Sequence, residues 1–116
     1  MPLKIAQRGV TDVVILDLTG RLWILDLPLR DLLNKLLAEG KRHFILNITG
    51  VDYVDSSGLG QLVTIWTSVR NKGGHLIVLS PTVRVQKLLE ITHLNTVFEI
   101  LDSENEAVQK AQKASA

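Results

Sequence analysis

Short β-branched runs alternate along this chain with leucines spaced for helices, and that order restricts the available folds more than any other feature. Val13-Val14-Ile15-Leu16-Asp17-Leu18 is apolar and bounded by Thr11-Asp12 and Thr19-Gly20, which predicts a buried strand with Leu3 to Gln7 pairing beside it. Leu29, Leu32, Leu33, Leu36 and Leu37 recur at the three-and-four spacing of a helix that Gly40 ends. Pro28 suits its first turn, and Asp26 is close enough to cap it. His43 to Ile48 is a second core strand, followed by an expected loop through Gly50, Asp52 and Asp55. Leu59, Leu62, Val63, Trp66 and Val69 then face one way on a helix stopped by Gly73-Gly74, and Leu76 to Leu79 supplies another buried strand. Ser80 reads as a cap for Pro81, with Val83, Leu88, Leu89 and Ile91 as the apolar side of a short helix. Val97 to Leu101 is the last expected strand. Asp102 or Ser103 can cap a terminal helix whose apolar face, Ala107, Val108 and Ala111, is thin.

This alternation predicts an α/β protein: a mixed, mostly parallel sheet of about four to five strands with about four crossover and flanking helices. A length of 116 residues suits one domain able to bury a sheet against helices without staples. Neither a repeat nor a linker rich in proline or serine divides the chain. The expectation is one domain over residues 1–116, with a core over 3–101 and a C-terminal helix over 103–113.

Composition excludes several roles. The net charge of +1, with lysines and arginines scattered, provides no basic field for a phosphate backbone, so direct nucleic-acid binding is not expected. There is no cysteine, which removes disulfides, thiolate metal sites and a cysteine nucleophile and suits a cytoplasmic protein. No apolar run is long enough to span a bilayer, and Met1 to Ala6 lacks the apolar core of a leader. The longest apolar neighbourhood, Leu22 to Leu37, is broken by charged residues and Pro28; it is the one segment suited to touching a membrane, with no insertion expected.

Chemistry is concentrated in Asp55-Ser56-Ser57-Gly58-Leu59-Gly60. A carboxylate, two hydroxyls and two glycines at a helix start place a modifiable serine where backbone N–H groups are unpaired, a setting receptive to phosphate. The glycines leave little bulk over the serines, so another protein's active site can approach. The same residues also make a well-capped helix start, and spacing alone does not choose between these readings.

No catalytic set accompanies the serines. Ser-Ser-Gly-Leu-Gly does not match the G-x-S-x-G of a nucleophile elbow. His43, His75 and His93 fall at strand starts and a helix end, as surface or capping residues do, and no pair has the spacing of a helical zinc site. Asp52 and Asp55, without further acidic neighbours, are better explained by loop solvation than by a cation. Gly58-Leu59-Gly60 has neither the third glycine of a dinucleotide loop nor the lysine of a P-loop. The expected catalytic, metal and cofactor sets are therefore empty, and the chain has the profile of a substrate.

In this order, Leu18-Thr19-Gly20-Arg21-Leu22, Ile45-Leu46-Asn47-Ile48, Val51 to Gly60, Gly73-Gly74-His75-Leu76 and Ser80-Pro81-Thr82-Val83 resemble the STAS family, the sulfate transporter and anti-sigma factor antagonist domain. The hexapeptide is the specific part. In the stand-alone antagonists that this chain resembles, the second serine is phosphorylated by an anti-sigma factor serine kinase, which implies Ser57 here. The unphosphorylated form binds that kinase and frees the sigma factor, and a serine phosphatase restores it. The resemblance thus implies a non-enzymatic regulator with Ser57 as the modified residue and Asp55, Ser56, Gly58, Leu59, Gly60 and Trp23 at the partner surface. The alternative is a constitutive STAS scaffold or transport-associated subunit without phosphorylation.

Two departures qualify the match. Leu22-Trp23-Ile24-Leu25 stands where the family usually has a polar or acidic residue, so Trp23 is either core to an altered loop or an exposed anchor. His93 replaces a frequent glycine, leaving Asn95 to close the turn. Nothing in the residues sets an oligomeric state.

Overall fold

A computed structural model describes residues 3–22 and 27–115. Asp26, read from the sequence as a cap, and Trp23, read as either a core residue or an exposed anchor, lie outside the described residues. The elements follow the order β1 (Lys4–Val10), β2 (Val13–Leu22), α1 (Leu27–Ala38), β3 (His43–Val54), α2 (Ser56–Asn71), β4 (His75–Leu79), α3 (Val83–Ile91), β5 (Glu99–Leu101) and α4 (Glu104–Ser115), with a 3-10 turn at Leu94–Thr96. The five-stranded sheet has the order β1-β2-β3-β4-β5. Its first pair is antiparallel and the others are parallel, the mixed and mostly parallel sheet that the alternation predicts.

The alternation of side chains along β2 and β3 divides the core in two. Val14, Leu16, Leu18, Phe44, Leu46 and Ile48 face α1, α2 and α3, whose Leu33, Leu62, Ile65 and Leu89 complete the larger cluster. Val13, Ile15, Ile45 and Ile77 face the other way, where α4 covers them with Ala107 and Ala111. The thin apolar face of α4 fits this smaller layer. Arg8 ties that helix to the sheet: its guanidinium donates to both oxygens of Asp17, at 2.6 and 2.9 Å, and to both of Glu104, at 2.7 and 3.1 Å.

Several local expectations are corrected. Gly50 and Asp52 belong to β3, because pairing with β2 carries the strand through Val54 with two register shifts. Asn47 spans the first irregularity, its side-chain amide nitrogen donating to Asp17 at 2.8 Å while its side-chain Oδ1 accepts from the Thr49 hydroxyl at 2.7 Å. Thr82, not Ser80, caps α3, its hydroxyl accepting from the Val85 N–H at 3.2 Å. Ser80 instead adopts φ 52° and donates to the Asp102 carbonyl at 3.1 Å. Val85 and Leu89 form the buried side of α3, whereas Val83 and Ile91 are exposed. His93, rather than Asn95, takes the left-handed conformation that turns the chain after α3, with φ 61°. The last strand begins at Glu99, and Ser103 provides the α4 cap, accepting from Glu106 N–H at 3.3 Å.

Candidate functional site

The end of β3 and the start of α2 define the site. Asp55 leaves the strand in extended conformation, with φ −95° and ψ −178°, and its carboxylate accepts the Gly58 N–H at 2.7 Å. Its carbonyl accepts the Leu59 N–H at 2.9 Å, closing the first helical turn. Asp55 is therefore the cap, and Ser56 and Ser57 are the first two helical residues. Ser56 is exposed and Ser57 half-buried. Among the described residues the Ser57 hydroxyl has no hydrogen-bond partner.

Gly58 and Gly60 differ in role. A Cβ on Gly58 would lie 2.2 Å from the Leu22 carbonyl oxygen and 3.1 Å from Val54 Cγ1, so this position admits only glycine without movement of β2. The Asp55 N–H reinforces the same junction, donating to Leu22 O at 3.3 Å. Gly60 is exposed and has nothing within 4 Å of its Cβ direction. Leu59 faces the core. The hexapeptide thus turns Gly58 and Leu59 inward and leaves Ser56, Ser57 and Gly60 toward solvent.

Sequence reasoning missed two neighbours. Arg21 and Tyr53 are register partners at the end of β2 and β3, with the guanidinium carbon 5.8 Å from the ring centroid. Tyr53 is 40% exposed. Both stood within recognised segments, but only the pairing of the strands aligns them beside Asp55. The histidines lie elsewhere: His43 and His75 are register partners at the starts of β3 and β4, at the opposite end of β3 from Ser57. Asp52 is exposed on β3 while Asp55 is engaged in its cap, and no group of three potential metal ligands is assembled among the described residues.

A mixed sheet with a capped serine pair at the β3–α2 junction is one arrangement many sequences could share; the match of the STAS domain family model to residues 4–107 decides which family this is. The chain belongs to the STAS domain family. Among its STAS relatives is a Thermotoga neapolitana protein provisionally named an anti-sigma factor antagonist homolog, 34% identical over 90 residues that cover 78% of this chain and 73% of the relative. The crystal structure of a provisionally named anti-sigma factor antagonist from Thermotoga maritima superposes with a TM-score of 0.85 at 29% identity, covering 93% of this chain and 94% of that one. The Bacillus cell fate determinant SpoIIAA in its phosphorylated form shares the fold, with a TM-score of 0.74 at 22% identity over 92% of this chain and 98% of that one.

Proposed function

We propose that this STAS protein is a non-catalytic anti-sigma factor antagonist controlled by phosphorylation of Ser57. The reading is carried by one observation: a half-buried hydroxyl, unpartnered among the described residues, at the second residue of a helix whose cap is supplied by another side chain, Asp55. Modification there does not remove the cap. In the transfer, the Ser57 oxygen bonds to the γ-phosphorus of ATP, the bond to the departing ADP breaks, and the hydroxyl proton passes to a base of the kinase. A serine phosphatase reverses the modification by hydrolysis.

The energetics separate folding from binding. Phosphate adds about −1.5 to −2 charges, and a helix N-terminus favours them by about 0.3 to 1 kcal/mol, so the fold survives. A partner shaped for a neutral hydroxyl must instead desolvate a dianion beside Asp55, at a cost of several kcal/mol. Each ~1.4 kcal/mol is tenfold in affinity, enough in sum to end a micromolar contact.

The partner surface comprises Asp55, Ser56, Ser57 and Gly60 directly, with Gly58 and Leu59 fixing the turn from within; Trp23 is assigned to the same surface from the sequence resemblance alone. The partner is an anti-sigma factor serine kinase, the protein acts as one STAS unit over residues 1–116, and its compartment is the cytoplasm. The names of its relatives support this role. Incubation with the kinase and ATP should add one phosphate by intact mass, absent in Ser57→Ala. Ser57→Asp should bind the kinase at least tenfold more weakly than Ser57→Ala. Equal affinities of the two variants refute the switch and favour a constitutive scaffold.

A further inference from the structure

Beside the serine turn, the end of β3 and the outer side of α3 enclose an open groove of about 740 Å³. Tyr53, Val83, Leu88 and Ile91 provide its apolar lining, and Arg84 and Lys87 are its charged residues. Val83 and Ile91 are 78% and 75% exposed, unusual for large aliphatic side chains on a helix whose other face is already packed through Val85 and Leu89. Eight residues apart on α3, they bracket a ledge about 12 Å long, roughly two turns of a facing helix. Among the described residues the groove lining contains no carboxylate. Glu90, on α3 itself, accepts from Gln86 at 3.1 Å and does not line it.

We infer that this groove receives an amphipathic helix of the partner, with an apolar stripe on the ledge and carboxylates facing Arg84 and Lys87. The inference rests on the partner-binding reading of Ser57 and extends it to a second contact. The groove abuts the same strand-to-helix junction: Val54 lines it and, from inside, lies against Gly58 in the first turn of α2. Charge complementarity selects the occupant: an open apolar slot whose charged lining among the described residues is Arg84 and Lys87 disfavours a basic amphipathic helix and retains an acidic one.

The full chain is titrated with two synthetic helical peptides that share one leucine stripe, one flanked by glutamates and the other by lysines, with amide chemical shifts as the readout. The glutamate peptide should bind, shift the amides of Tyr53, Val83, Leu88 and Ile91, and weaken as salt is raised. Ile91→Ser should reduce its affinity by about tenfold, and Arg84→Glu combined with Lys87→Glu should reverse the preference between peptides. Because these side chains are exposed, unfolding midpoints should stay at the parent value. Equal binding of both peptides, binding of neither, or shifts confined to another face overturns the inference. So does concentration-dependent self-association abolished by Ile91→Ser, which would make a second copy the occupant. Phosphate uptake at Ser57 is scored separately by mass. Uptake with no role for Ile91 rejects the groove alone, and groove binding without uptake rejects the switch alone.

Discussion

Gly58 and Leu22 meet backbone to backbone, with space for no more than a hydrogen between the first turn of α2 and the last carbonyl of β2: a Cβ at Gly58 would stand 2.2 Å from the Leu22 oxygen. Because that oxygen belongs to a strand and cannot swing aside as a side chain would, Gly58→Ala must move β2 or the helix start. The expected loss is about 1 to 3 kcal/mol. Gly60→Ala is the contrast, since its Cβ meets nothing within 4 Å, and helix propensity predicts a gain approaching 1 kcal/mol. Urea unfolding of the pair measures both signs, and equal effects would remove the Gly58–Leu22 contact as the reason for glycine.

The Asp55 carboxylate holds the turn through its bond to Gly58 N–H. Asp55→Ala should cost about 1 kcal/mol, within the usual range for lost caps, while Asp55→Asn should keep most of the stability. Equilibrium unfolding checks the two values. Kinase binding that falls equally in both variants would assign the carboxylate charge, in addition to the cap, to partner recognition.

The sequence pattern disclosed what depends on local period and missed what depends on pairing. Strands β2 and β4 were legible because their apolar runs face helices on one side and α4 on the other. The extension of β3 through Gly50 and Asp52 was not, because glycine and aspartate there are held by the neighbouring strand rather than by their own propensity. Ser80-Pro81 carried a strong capping signal, yet Thr82 supplied the geometry once Ser80 turned toward Asp102. The serine turn was visible as a motif. Its division into an inward Gly58 and an outward Gly60 required knowing where β2 ends, and the Arg21–Tyr53 pair required the register of two strands separated by α1.

Arg8 predicts acid sensitivity. Its hydrogen bonds hold the Glu104 and Asp17 carboxyls below their ordinary ranges, with Asn47 assisting at Asp17. A carboxylate depressed in the folded state contributes stability above its unfolded value and loses it as pH falls through the folded value. Arg8→Gln should therefore cost about 1 kcal/mol at neutral pH, modest because the pair with Glu104 is substantially exposed. The difference from the parent should shrink progressively below about pH 5. Urea midpoints across that range test it. A difference that does not change with pH would assign the loss to packing of the arginine stem instead.

A second acid response originates at the opposite end of β3. Burial pushes the His43 imidazole below its ordinary range, the neighbouring His75 lowers it further, and Asp12 opposes both. His43 Nδ1 is buried without a partner. His75, its register partner, binds Glu99 at 2.7 Å, and Lys110 reaches the same carboxyl at 2.9 Å, so Glu99 is already engaged and Asp12 is the carboxylate that partly offsets burial at His43. A base depressed on folding binds its proton later than the unfolded chain does, so acidification through the histidine range favours unfolding. The parent should lose stability as pH falls below about 6.5, before the carboxylates titrate, and His43→Leu should remove that early loss while keeping the later one. Thermal midpoints in matched ionic strength resolve the two stages. Persistence of the early stage in His43→Leu would refute its assignment to His43.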